Sequence, residues 1–261
     1  MIAVTRGDGP DVVLVHGALG DHRQWEPLSD ALASAYRLTS ISRRYHWPNP
    51  GPAKDAAYTY EGHRDDLVSF LTSFDQPVHL AGHSYGAGVA LLTAMADPGR
   101  IRSLTLVEPS FGGLIDPTAA DLQAELASRQ ELLATTGRLA RAGGDAAASR
   151  ALIDWLQDSP RGFDSLPAAV REGLLANAAT VGPTFAAPAP TVTCDRLGAL
   201  AIPALVLYGV RTRLFFRLIA ERVTSCLPAA SIAAIPDAGH MSIVENPAAV
   251  AARLLEFFAR N

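Results

Sequence analysis

Cysteine is scarce in this chain. Cys194 and Cys226 are the only two in 261 residues. Their spacing matches no metal-ligand pattern and suggests no evident disulfide, so no metal site is expected and a reduced, cytoplasmic setting is the simplest expectation. Long apolar runs are missing too. None approaches the roughly 18 residues that a membrane-spanning helix needs. Met1 to Gly7 lacks the apolar core of a signal peptide. Charge is sparse, at 18% of residues, and nearly balanced at −4. That balance argues against nucleic acid or an anionic membrane as a partner. No internal repeat or low-complexity tail is apparent. What remains is a 49% hydrophobic chain, long enough to bury a large core as one domain plus an insert.

The most informative stretch is Gly82-His83-Ser84-Tyr85-Gly86. It follows the apolar run Val78 to Ala81 and opens a second one, Ala87 to Leu92. The context predicts a strand, a sharp turn with serine at its apex, and a helix. A turn that tight strains the serine backbone and leaves no room for side chains two residues before and after it. Glycine fits both places. The serine hydroxyl then lies at a helix N-terminus, where backbone N–H groups can meet a developing negative charge. With 21 Gly and 16 Ser in the chain, a chance G-x-S-x-G is expected about 0.1 times. The competing reading is a glycine-rich turn with a capping serine.

Two other segments point at the same chemistry. Val12-Val13-Leu14-Val15 is β-branched and reads as a strand buried on both faces. It ends in His16-Gly17-Ala18-Leu19-Gly20, a small-residue loop. The backbone N–H of Ala18, or of Leu19, can join that of Tyr85 to form an oxyanion hole. The His16 side chain reads first as a packed strand-end histidine and second as a pocket residue. His240 lies in a loop between a strand-like run, Ser231 to Ile235, and a C-terminal helix, Pro247 to Ala259. A serine hydroxyl needs a base at neutral pH, and imidazole suits that role. Serine first and histidine near the C-terminus is the chain order of one triad-bearing fold.

These features resemble the α/β-hydrolase superfamily, and the resemblance covers nearly the whole chain: the His16-Gly17 strand end, the Arg43-Arg44 loop, the Ser84 turn, the Pro203-to-Gly209 strand and the Gly239-His240 loop. It implies an α/β fold with a mostly parallel, eight-stranded type of sheet flanked by helices. It also implies a helical lid inserted after the sixth strand. The expected division is a core of residues 1–111 and 197–261 with a lid of 112–196. The lid is expected to form helices over Asp116 to Ala142, Ser149 to Gln157 and Leu166 to Ala179. Phe111, Leu114, Trp155, Phe163 and Phe185 are candidate pocket walls, each with plain core as the other reading.

One departure matters. The superfamily usually carries its triad carboxylate in the loop after the strand Ala204 to Gly209. Here the chain reads Gly209-Val210-Arg211-Thr212-Arg213, with threonine in the acid's place. Glu108 ends the neighbouring strand Leu104 to Val107, a place where some superfamily members hold the acid. It is the candidate replacement. The alternative pairs Glu108 with Arg211 or Arg213. Asp237 reads as a turn residue.

The resemblance implies a serine hydrolase without metal or cofactor, acting on an ester, lactone or thioester of an apolar small molecule. A non-hydrolytic catalyst using His240 as base, and a non-catalytic receptor, are the alternatives. Oligomeric state is not legible.

Overall fold

The structure is a computed structural model. It describes the chain except residues 53–56, 112, 116, 117 and 119. A seven-stranded sheet runs through its centre: β1 (Ile2–Arg6), β2 (Asp11–Val15), β3 (Arg37–Ser42), β4 (Val78–His83), β5 (Ile101–Val107), β6 (Ala204–Gly209) and β7 (Ala230–Ile235). Their order is β1-β3-β2-β4-β5-β6-β7. β1 pairs antiparallel with β3 and every other pairing is parallel. The sheet thus has seven strands among the described residues where the resemblance implied eight. The long helical segment accordingly follows the fifth strand.

Burial on both faces explains the composition of the central strands. Val12, Val13, Leu14 and Val15 are wholly buried, as are Leu80 and Ala81 in β4. Parallel strands are covered by crossover helices on each side, so both faces must be apolar. α1 (Glu26–Ala33) and α12 (Pro247–Phe258) cover one face, with Trp25, Leu28, Leu32, Val250 and Leu254 against Leu14 and Leu207. α2 (Tyr60–Leu71), α3 (Tyr85–Ala96) and α10 (Leu214–Cys226) cover the other. α2 starts where the Thr59 side chain accepts from the Gly62 N–H, an ordinary N-cap.

Between β5 and β6 the chain is helical: α4 (Gln123–Arg141), α5 (Asp145–Leu156), α6 (Gly162–Ser165), α7 (Ala168–Ala176), α8 (Val181–Ala186) and α9 (Cys194–Gly198). The expected helix start at Asp116 and segment start at Gly112 lie outside the described residues. α11 (Ser242–Glu245) follows the His240 loop. Leu132, Leu152, Ile153 and Phe163 of the helical segment share one apolar cluster with Leu19 and Met241. Polar ties add to this. Buried Asn177 donates to Asp21 at 2.8 Å and accepts from the Trp47 N–H at 2.7 Å. Arg213, at the start of α10, pairs with Glu125 and Asp158, each at 2.6 Å.

Cys194 and Cys226 are joined in a disulfide, with Cα atoms 4.9 Å apart. This corrects the expectation of two unpaired thiols. α9 packs beside the end of α10, a proximity that a separation of 32 residues does not reveal. The expectation of a reduced compartment loses its premise. No described helix is long and apolar enough to cross a membrane.

Candidate active site

The carboxyl ends of β2, β4, β5, β6 and β7 meet along one edge of the sheet, where ligands of open α/β sheets bind. β4 delivers Ser84. Its backbone sits at φ 52°, ψ −117°, a strained conformation for a residue with a side chain. The turn holds because its neighbours are glycines. A Cβ on Gly82 would lie 2.3 Å from the Gly86 carbonyl oxygen, and one on Gly86 would lie 2.3 Å from that of His16. Either contact is far inside van der Waals distance.

β7 delivers His240. Its loop is held where the Glu245 carboxylate accepts from the Gly239 N–H at 2.7 Å. The Arg211 N–H also donates to the Ala238 carbonyl at 2.8 Å. His240 Nε2 lies 2.9 Å from Ser84 Oγ. On the other side of the ring, Nδ1 lies 3.1 Å from Glu108 Oε2. The Phe216 ring packs on the imidazole at 4.0 Å between centroids.

β5 delivers Glu108, which is wholly buried. Its φ of 50° turns the side chain off the strand end. Its carboxylate accepts from the Gly209 N–H at 2.5 Å and from the Thr212 hydroxyl at 2.7 Å. Thr212, standing where an aspartate is usual, thus donates to the glutamate that faces the histidine. Neither arginine considered as a partner takes Glu108. Arg211 pairs with Glu245, and Arg213 with Glu125 and Asp158.

The oxyanion candidates lie on the other side of Ser84. Tyr85 is the first residue of α3, so its N–H has no partner within the helix. Among the described residues the Ala18 and Leu19 N–H groups donate no backbone hydrogen bond. Leu19 sits at φ 57°.

Two chambers meet at Ser84. One, of about 300 Å³, is lined by Leu19, Ile153, Leu156, Val170, Leu174 and Met241, with Asp21, Arg23 and Glu172 toward its polar side. The other, of about 280 Å³, is lined by Tyr60, Ser110, Arg129, Trp155, Phe185 and Phe216. Ala18 and Leu156 border both. Of the expected walls, Trp155 and Phe185 face the second chamber. His16, Phe111, Leu114 and Phe163 are absent from the walls of both. His16 turns back toward His46, with ring centroids 4.5 Å apart. Phe111 packs against α3 near Gly88, and Phe163 lies under the Arg150 guanidinium in the core of the helical segment.

Sequence reasoning missed Arg129 and Phe216, whose helical spacing reads as ordinary amphipathic pattern, and Met241, which follows His240 in its loop. Arg129 stacks over Phe215 at 5.0 Å, and burial pulls its guanidinium below the ordinary range. It also missed Gln24 and His83. Gln24 accepts from the Gly17 N–H at 2.9 Å and donates to His83 Nδ1 at 2.7 Å, while His83 Nε2 donates to the His240 carbonyl at 2.9 Å. That chain ties the Gly17 loop to the histidine loop.

Five histidines are buried and held neutral. Burial, then the nearby Arg43 charge, keeps His16 and His46 well below 6.5 and His63 at about 2. Burial, then His240, lowers His83 to about 3. Burial, then Arg102, lowers His79 to about 4. The unfolded chain protonates these rings near the ordinary value and the folded chain does not. Their contribution to stability is therefore full above pH ~6.5 and is lost as pH falls toward those lower values. The melting temperature should drop by more than about 5 °C between pH ~7.5 and pH ~5.5. A flat profile there would show that the folded protein protonates these rings freely.

A parallel α/β sheet with a strained serine between a strand and a helix, facing an imidazole, defines an α/β-hydrolase type of protein. Comparison with known sequences agrees: the profile of the alpha/beta hydrolase family matches residues 12–253, and the chain belongs to that family. It is 31% identical over 262 residues to the 2-succinyl-6-hydroxy-2,4-cyclohexadiene-1-carboxylate synthase of Klebsiella pneumoniae, covering 96% of this chain and 94% of that protein. It is 27% identical over 250 residues to the dihydrolipoyllysine-residue acetyltransferase component of the acetoin cleaving system of Cupriavidus necator. That match covers 92% of this chain but spans only 62% of the relative. In structure the chain superposes on the carboxylesterase CesB of Bacillus subtilis with a TM-score of 0.78 at 20% identity, covering 99% of this chain and 87% of that one. At that identity the likeness speaks for the fold alone.

Proposed function

We infer that the protein is a serine hydrolase that cleaves a carboxylic ester, lactone or thioester of a small molecule through an acyl-enzyme. The observation that carries this reading is the line of hydrogen bonds from Ser84 Oγ to His240 Nε2 and from His240 Nδ1 to Glu108. In this reading His240 takes the Ser84 proton as Oγ attacks the acyl carbon. The Tyr85 and Ala18 N–H groups receive the oxyanion, with Leu19 beside them. Glu108 fixes the imidazole tautomer and balances the imidazolium. His240 then protonates the leaving group, and water, activated by the same ring, releases the acid. Residues 1–111 and 197–261 serve as the core and 112–196 as a lid over the chambers. The chambers accommodate the acyl and leaving portions on opposite sides of Ser84. The first chamber is mainly apolar around Leu156 and Val170, while Ser110, Thr184 and Arg129 make the second more polar. No nucleic acid or membrane partner and no cofactor enters this chemistry.

A second reading, a non-hydrolytic catalyst using His240 as base, is favoured by the likeness to the Klebsiella synthase. Incubation with p-nitrophenyl esters of short and medium acyl chains separates the two. The hydrolase reading expects steady release of p-nitrophenol. No release from protein whose Ser84 still reacts with a fluorophosphonate would favour the second reading. A non-catalytic receptor would be supported by a histidine ring without a carboxylate partner, whereas Glu108 Oε2 lies 3.1 Å from His240 Nδ1.

A further inference from the structure

The Arg43-Arg44 loop is a motif that the serine chemistry leaves unused. Arg44 forms an ordinary ion pair with Asp66 at the surface. Arg43 does not. Its side chain is 1% exposed, and its contacts among the described residues include no carboxylate. Nη2 donates to the Gly17 carbonyl at 3.0 Å and Nη1 to the Tyr58 hydroxyl at 3.4 Å. Nε has no partner. The guanidinium carbon sits 4.6 Å from the centre of the Tyr85 ring. Burying a cation without a counterion is costly. The rings around it, His16, His46 and His63, stay neutral, so none adds a second buried cation.

The Gly17 carbonyl collects two further donors. The Gly20 N–H reaches it at 3.3 Å. His16 Nε2 accepts from the Arg43 backbone N–H at 3.0 Å. The His16 proton therefore sits on Nδ1, which donates to the same carbonyl at 2.8 Å. Three donors thus converge on one oxygen, and the N–H of that same peptide unit belongs to Ala18. The unit lies against the nucleophile, since a Cβ on Gly17 would be 3.2 Å from Ser84 Cβ. Donation to an amide oxygen draws electron density through the C–N bond and makes its N–H a better donor.

We propose that Arg43 is a positioning residue for the oxyanion hole: acting through the Gly17 carbonyl, it orients and polarises the Ala18 N–H toward charge developing on the substrate. The proposal rests on the serine-nucleophile reading. It gives a role to an arginine standing where an apolar residue would pack at less cost.

The test is the inactivation rate with a fluorophosphonate, split into the maximal rate and the half-saturating concentration. Arg43→Met should lower the maximal rate by about 10- to 100-fold and leave half-saturation within about threefold. Arg43→Lys, which keeps the charge, should stay within about fivefold of the parent protein. Equal rates for parent and Arg43→Met, or a loss confined to half-saturation, would overturn the role of Arg43 alone. A parent protein that does not react at all would overturn the serine reading first, and this proposal with it. Should the variants not fold, carbon-13 NMR of the unaltered protein decides. The Gly17 carbonyl should resonate downfield of the other glycine carbonyls, and a position among them would overturn the proposal.

Discussion

Ser84→Ala should lower ester turnover by about 10⁵- to 10⁶-fold and abolish fluorophosphonate labelling. The size follows from what the substitution removes. Without Oγ no acyl-enzyme can form, and His240 has no hydroxyl to deprotonate. The oxyanion donors remain and can still bind the substrate carbonyl, so some acceleration over water should persist. Folding should not be affected, because Ser84 makes no side-chain hydrogen bond to cap α3. The variant should melt with the parent protein. A loss of less than about tenfold in turnover would show that the reaction runs through another group.

Glu108→Gln should lower kcat by about 10³- to 10⁴-fold, with a much smaller effect on KM. An amide cannot balance the imidazolium. Glu108 also accepts from the Gly209 N–H, the Thr212 hydroxyl and His240. A glutamine must turn its NH₂ toward one of these donors, which loses a buried hydrogen bond or flips the imidazole tautomer. The position of Thr212 adds a sharper test. Its hydroxyl lies 2.7 Å from the same carboxylate oxygen that faces His240. Thr212→Asp in the Glu108→Gln background should therefore recover at least about tenfold of the lost kcat. In the parent background the same change should impair, because two carboxylates would crowd one buried site. No recovery in the double variant, with both proteins folded, would mean that position 212 cannot reach the ring.

The parts of this arrangement that were legible in the sequence share a physical cause. Gly82 and Gly86 are required by hard contacts of 2.3 Å, so the turn around Ser84 leaves a fixed local pattern. The strands β2 and β4 are buried on both faces, so they appear as apolar runs. Glu108 could be named because the family resemblance implies that its strand ends beside the one leading to Thr212, where some members hold the acid. What escaped depends on distances between elements far apart in sequence. The Cys194–Cys226 bond needs the packing of α9 on α10. The chambers take their walls from helices whose exposed and buried faces follow one period, so Trp155 and Phe163 looked equivalent although only Trp155 faces a chamber. Arg43 appeared as one of two adjacent loop arginines. Only its burial without a carboxylate sets it apart from Arg44.

The central claim is that Ser84 carries the acyl group. Rapid quenching of the protein with a p-nitrophenyl ester, followed by peptide mass spectrometry, tests it most directly. The account predicts a mass increase equal to the acyl group on the peptide containing Ser84, formed before steady turnover begins. Ester turnover with no adduct, or with the adduct on another residue, would contradict it.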